Sequence, residues 1–452
     1  MRFGVGLLGV SALVALAPAL ACSDEPGVDA PAALADGGPA EAAAPEPDGG
    51  AGVEARIVVR TSTPASSVSP GGPAPATWAA YRNDSGVWDT LPATAAATYS
   101  FTTTSPRWAV ALACADDRTS LVAVYERPAS VASLDVVLEE QCGAPPGDAY
   151  VLDGTLAHVP ASTEWLDFGY ALGARGAVII PAGDSAPYEI VNVVGGTWNL
   201  AFGLREQAGT PLTKIAFVRR RALAADTTLD LDLDAVGLVP GTKKLTVSGL
   251  DPADETLAAP VAYTMGDDRE GIDVGPQDVP TAATTELSYA TVPAAAQEAP
   301  DRYRAAIVAS GQRGSTSRGV LAVFHEAVDL TFALPAPMAA PVVSVAATTP
   351  YLRVATKLPT REAAATYEVL ASVRLSQRFR RAWSVSVDAS LAPGGALEVT
   401  LPDLAAVPGF DVSWALPPDR ERAVTATARE KPTSLGDGAS ERFSAHTTTL
   451  EP

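Results

Sequence analysis

The chain has 452 residues and a formal net charge of −20. Such acidity argues against nucleic acid, whose phosphates need a basic face, and against peripheral attachment to anionic headgroups; its plain use is solubility. The 47% apolar share is rich in Ala and aromatics make only 6%, so cores must be built from many Val, Leu and Ala with a few Trp and Tyr, which suits several small domains.

The first element is an apolar run from Phe3 to Ala21, behind Met1 and Arg2. It is short and rich in Gly and Ala for a membrane span, and it ends in small residues, as a cleavage site does. Cys22 follows directly. Ala19-Leu20-Ala21-Cys22 resembles a bacterial lipobox, with Ala19 where the family usually places Leu. The resemblance implies a signal peptide over residues 1–21, cleavage before Cys22, and lipidation of Cys22 on its sulfur and its new amine. Several acyl chains, at roughly 0.8 kcal/mol per buried methylene, give a stable attachment. Ser23 after the cysteine implies, by resemblance to Gram-negative sorting, the outer membrane. An ordinary secretory signal cut after Ala19 or Ala21 is the alternative.

Residues 22–54 read as a disordered tether of Ala, Pro, Gly and acidic residues. Without Lys or aromatics to 52, they bury too little apolar surface to offset ordering entropy. As a coil the tether spans on the order of 30 Å. From Ala55 onward, short runs of Val, Thr, Leu, Tyr and Trp alternate with turns. Arg56–Arg60, Tyr99–Thr103, Trp108–Cys114, Leu121–Arg127 and Leu134–Glu140 read as strands. In Leu229-Asp230-Leu231-Asp232-Leu233-Asp234 the alternation predicts a strand with every Leu on one face and every Asp on the other.

A unit of about 90–95 residues recurs. Tyr81 precedes Trp108 by 27 residues and Tyr170 precedes Trp198 by 28, while Tyr263 precedes Tyr303 by 40, which predicts an insertion near Pro276–Pro300 as a mobile loop. Three related β-sandwiches are expected at 55–143, 148–237 and 243–335, with Pro335–Pro341 a linker to a fourth at 342–452. In the fourth, Tyr367–Arg374, Trp383–Asp388, Leu397–Leu401, Phe410–Leu416 and Val424–Ala428 read as strands, and Lys431–Pro452 as one more strand or a frayed tail. The fold class is all-β: tandem immunoglobulin-like or fibronectin-III-like sandwiches after a disordered tether.

Cys114 and Cys142 remain as one pair in an oxidising compartment. Their disulfide would close a loop of 28 residues; two buried free thiols are the alternative. His158, His325 and His446 are scattered without ligand spacing, so no metal site or cofactor is expected. The segment Gly266–Asp273 is dense in oxygen ligands, but Arg269 sits among the acids and the spacing is not that of an EF-hand.

No Gly-x-Ser-x-Gly elbow, His-Glu-x-x-His or phosphate-cradling loop is present. Paired carboxylates could hydrolyse glycosides, with Asp230, Asp232 and Asp234, or Asp267, Asp268 and Asp273, as candidates, against the reading of solvated acids. Trp108 and Trp198 occupy matching repeat positions and belong to cores. Trp88 and Trp165 fall near loops and are the aromatic candidates for a ligand. Arg374, Arg378, Arg380 and Arg381 form the one basic cluster, read as a solvated hairpin or as a docking patch; Arg219, Arg220 and Arg221 are a shorter version.

The expected protein is a lipid-anchored envelope protein with a binding or adaptor role and no catalysis. It is held to the membrane by lipid, with a protein or polysaccharide partner and no nucleic acid. A carbohydrate-binding array and a carboxylate glycoside hydrolase are the alternatives. The general layout resembles envelope lipoproteins of high-GC, myxobacteria-like bacteria, and that resemblance implies no activity.

Overall fold

The computed structural model describes residues 54–63, 72–116, 119–138, 148–170, 174–179, 184–207, 210–266, 271–276, 279–280, 282–312, 314–376, 379–392 and 394–451. Cys22, the tether, Cys142, Arg378 and most of the acidic loop after Gly266 lie outside them.

The first sandwich holds β1 (Ala55–Thr63), β2 (Trp78–Asn83), β3 (Thr98–Thr103), β4 (Arg107–Ala115), β5 (Ser120–Pro128) and β6 (Ser133–Val137). In one layer β1 pairs antiparallel with β3 and parallel with β6; in the other, β4 lies between β2 and β5. The second holds β7 (Ala149–Ala157), β8 (Trp165–Tyr170), β9 (Ala174–Ile179), β10 (Ser185–Val194), β11 (Gly196–Arg205), β12 (Leu212–Leu223), β13 (Leu231–Asp232) and the single turn α1 (Leu233–Val236). Again the opening strand β7 pairs antiparallel with β10 and parallel with β13, and β11 lies between β8 and β12. The third holds β14 (Gly241–Ser248), β15 (Val261–Thr264), β16 (Thr284–Thr291), β17 (Arg302–Gly311), β18 (Thr316–Phe324) and β19 (Leu330–Ala333), paired in the same way. Trp108 and Trp198 are each 1% exposed, at matching places on β4 and β11.

Three expectations need correction here. The segment 276–300 contains β16, the partner of β14, rather than an inserted loop. Its Thr285, Leu287, Tyr289 and Thr291 alternate inward, so a Thr-rich strand stands where composition suggested a loop. The Leu–Asp alternation after Leu229 breaks into β13 and α1, because the Asp232 carboxylate accepts the Asp234 N–H and caps a turn. Phe410–Leu416 is not a strand but a covering loop with a short 3-10 turn at Val412–Trp414.

The fourth sandwich holds β20 (Val342–Ala347), β21 (Arg353–Pro359), β22 (Ala364–Arg374), β23 (Arg380–Asp388), β24 (Ala396–Thr400), β25 (Arg422–Glu430) and β26 (Gly438–Leu450). The order β20-β21-β24 forms one layer and β23-β22-β25-β26 the other. The chain's last strand is therefore fully engaged rather than frayed.

The sandwiches are not beads. β26 pairs antiparallel with β18 of the third, and β23 pairs parallel with β5 of the first. One 14-stranded sheet thus runs through the third, fourth and first sandwiches. The last sandwich sits between two that precede it in the chain and closes an edge of each.

This arrangement explains the texture of β4. All residues from Trp108 to Cys114 are buried, with no alternation. Trp108, Val110, Leu112 and Cys114 face β1 and β3, while Ala109, Ala111 and Ala113 face the core of the fourth sandwich. Over that second face lies the loop around Phe410, whose ring meets Trp78 edge-on at 5.2 Å while the Trp78 indole N–H donates to Pro408 O at 3.1 Å. A strand buried on both faces reads as a continuous apolar run, and small Ala side chains let the covering loop approach. The expected linker Pro335–Pro341 is held too: Arg318 donates to Pro335 O, Arg361 to Ala336 O, and Met338 is buried.

The second and third sandwiches are joined by arginines, of which Arg205 is buried and Arg219 half-buried. Arg219 on β12 makes a bidentate pair with Asp301, at 3.0 and 2.7 Å. Asp301 is 0% exposed and also accepts from the Tyr263 hydroxyl and from the N–H groups of Gly266 and Glu298. Arg220 pairs with Glu298. Arg205, 1% exposed, binds Asp167 within its own sandwich and Asp273 O in the next. Arg219 thus serves as a latch between the two sandwiches, with the exposed Arg220 paired to Glu298 at its rim.

Candidate functional site: a cleft between the first and last sandwiches

Antiparallel and parallel register place Arg82, Ala109, Glu126 and Val387 side by side across β2, β4, β5 and β23. The row continues into the fourth sandwich through Tyr367 and Ala428. All six share one face of the long sheet. Beyond Val387 that face is covered by β20, β21 and β24. Toward the first sandwich the cover stops at β24, and the row turns polar.

There a cleft of about 550 Å³ opens, with Arg82, Glu126 and Val387 as floor, β24 and its continuation to Asp403 as one wall, and Trp88 and Arg353 beside them. Ala109 carries no bulk, so Arg82 reaches across it to Glu126 at 2.6 Å. The Arg82 guanidinium lies 5.0 Å over the Trp88 ring, a cation–π contact. Arg353 faces Asp403 at 3.7 Å, a loose pair. The Nε atoms of Arg82 and Arg353 are buried and have no hydrogen-bond partner among the described residues. Buried donors without partners carry a desolvation penalty, but these two atoms are covered and do not face the open cleft.

The sequence candidates are distributed as follows. Trp88 does line this cleft, but it is only 8% exposed. It cannot offer a bare ring face, because Arg82 covers it and the fourth sandwich packs against it. Trp165 is half-buried in a different sandwich and spends its indole N–H on Asp167 at 2.6 Å. The two tryptophans do not form one platform. Arg374 and Arg380 stand opposite each other at the mouth of the β22–β23 hairpin, with Arg374 exposed. Arg381 points back, and its charge, behind the Ser413 hydrogen bonds, helps to lower the Asp411 pKa. Arg378 lies outside the described residues. Cys114 is 1% exposed at the end of β4.

The acidic candidates have structural partners. Asp230 accepts the Thr155 N–H at 2.8 Å, supporting β7 where its parallel partner is interrupted. Asp232 caps α1, and Asp234 pairs with Lys214 at 3.4 Å. Asp273 accepts the Gly275 N–H, and Asp267 and Asp268 lie outside the described residues. Sequence reasoning also missed one grouping. His158 Nδ1 lies 2.7 Å from Asp232 and 3.9 Å from Asp234, all exposed, and these are the candidate metal ligands that come together among the described residues. The Asp232 hydrogen bond and charge raise the His158 pKa. The 74-residue separation of His158 and Asp232 hides the group from any local motif.

No family model matches the chain, and no curated protein matches it. Among solved structures the chain is similar to a DUF3823 family protein from Parabacteroides merdae ATCC 43184. The identity is 10%, over 68% of this chain and 100% of that one, with a TM-score of 0.13. At that score the likeness carries no argument about this protein.

Proposed function

We propose that the protein is a lipid-anchored component of the cell envelope, at the outer membrane, that binds a partner and performs no catalysis. The observation that carries the binding role is the cleft: an opening in the covering layer, walled by charged and aromatic groups. The anchor rests on Ala19-Leu20-Ala21-Cys22. Coverage of the Trp88 ring weighs against sugar stacking, and the structural partners of Asp230, Asp232 and Asp234 weigh against a carboxylate pair there.

The test is made in cells. Wild-type protein should take up labelled fatty acid and sediment with membranes, and Cys22→Ser should do neither. Crosslinking followed by purification through the C-terminus should recover a protein partner that Arg82→Ala loses and Arg374→Ala keeps. Recovery of glycan alone, or of partners indifferent to Arg82, would remove the adaptor role.

The same reading includes a Cys114–Cys142 disulfide, supported by the burial of Cys114. Peptide mapping without reductant should find Cys114 joined to Cys142, and breaking the bond should cost roughly 2–4 kcal/mol. Alkylation of both as free thiols in the folded protein would refute it.

A further inference from the structure

We infer that the cleft takes an extended peptide strand from a partner protein, added to the open edge of β24; this deepens the binding role proposed for the same cleft.

The argument starts from the hydrogen-bond alternation of an antiparallel pair. Among the described residues β24 pairs with β21 alone. Leu401 N–H donates to Val354 O, and Thr360 N–H donates to Gly395 O. Both bonds fall on the odd-numbered positions of this strand. Hydrogen-bonded and non-bonded pairs alternate, so Val399 and Leu397 bond inward to β21. The N–H and C=O groups of Glu398 and Thr400 therefore point the other way. No bond to them exists among the described residues.

What lies on that side is the cleft. Adjacent strands in a layer sit about 4.8 Å apart. One strand position beyond β24 lies over the Arg82–Ala109–Glu126 row, where the covering layer ends. The first sandwich closes the equivalent edge of its own layer: a short strand, Ala93–Ala95, pairs with β3. At β24 no strand pairs at that position among the described residues.

The floor states the chemistry of the guest. Arg82 and Glu126 neutralise each other, so a strongly charged side chain gains little there. A strand with small, uncharged polar side chains at alternate positions suits that neutral, polar floor. Thr, Ser or Asn accepts from Arg82 and donates to Glu126, while the backbone pairs with Glu398 and Thr400. Main-chain bonds supply affinity and alternate side chains supply selectivity in such strand addition. Unpaired edges are otherwise blunted by charge, Pro or bulges. Glu398 and Thr400 are exposed but unobstructed, and Pro402 comes only after the strand ends.

The test uses the full chain and one probe, a blocked octapeptide of alternating Thr and Val flanked by a Lys at each end. Hydrogen exchange at Glu398 and Thr400 should slow at least tenfold when the peptide is added to the wild type. Thr400→Pro removes an outward N–H and no bond to β21, so it should keep the melting temperature and weaken peptide binding at least tenfold. No protection at roughly 1 mM peptide, or equal binding by a folded Thr400→Pro, overturns the inference. So does protection before peptide is added, whether it depends on protein concentration, as a second copy would require, or not, as the chain's own tether would. The cellular crosslink separates the two ideas. A partner lost with Arg82→Ala but kept with Thr400→Pro leaves the binding role standing and removes strand addition. A partner indifferent to both removes the binding role itself.

Discussion

Asp301→Ala should destabilise the joint between the second and third sandwiches by about 3–5 kcal/mol, because it strips one partner from a buried ion pair. Asp301 is fully buried and accepts five hydrogen bonds, from both Arg219 terminal nitrogens, the Tyr263 hydroxyl and two backbone N–H groups. Its removal leaves Tyr263, also 0% exposed, with an unsatisfied hydroxyl. Burial alone would raise the Asp301 pKa, but the hydrogen bonds from Arg219, Tyr263, Glu298 and Gly266 outweigh it and hold the carboxyl below the usual aspartate range. The folded state therefore favours the charged form. The resulting stability is fully present above the unfolded aspartate value, near pH 4, and is lost as pH falls through the lower folded value. The gap between wild type and variant should be widest at neutral pH and narrow in acid. Denaturant unfolding across that range measures it, and hydrogen exchange at Gly266 and Glu298 reports whether the loss is local. A change under about 1 kcal/mol at pH 7 would mean that the latch contributes no more than a surface pair.

Deleting residues 342–452 should have the second large effect. If the sandwiches were independent, the remaining chain would fold as three. The shared sheet says otherwise. Deletion bares the edge of β5 over seven register positions and that of β18 over eight. It also uncovers the face holding Trp78, Ala80, Val122 and Val124. Each large side chain so exposed forfeits roughly 1.5–3 kcal/mol, and two long unpaired edges template association. The truncated protein should run as aggregates in size-exclusion chromatography, where the full chain runs as one discrete species. A monodisperse, cooperatively melting truncation would contradict the shared-sheet architecture.

The two effects have one origin. The chain's last quarter is both a sandwich and the cover of an earlier one. Trp78 bonds to a carbonyl 330 residues downstream. Arg127 donates to the carbonyl and hydroxyl of Ser386. Contacts of that separation leave no periodic mark, so Trp88 could be read only as an aromatic beside a loop. Its burial follows from a layer supplied by the far end of the chain. β4 did carry a trace of that layer. Its seven-residue apolar run with interleaved Ala is the pattern of a strand covered twice, and it could have argued for a third layer over the first sandwich. The basic triplet at Arg219 offered no such clue, because its acidic partners are 78 to 82 residues away.

Period-two alternation and regular turn residues were enough to establish an all-β chain of sandwiches, because side-chain direction in a strand is a local property of the backbone. The lipobox-like ending at Cys22 is equally local. Which edges join, which faces are covered twice, and where the cover stops were decided only by tertiary structure. Those outcomes depend on pairing between strands hundreds of residues apart, and edge backbone groups bond to any strand whatever its sequence. The open edge at β24 is the sharpest instance: Glu398 and Thr400 look like ordinary exposed residues until the layer around them is seen to end.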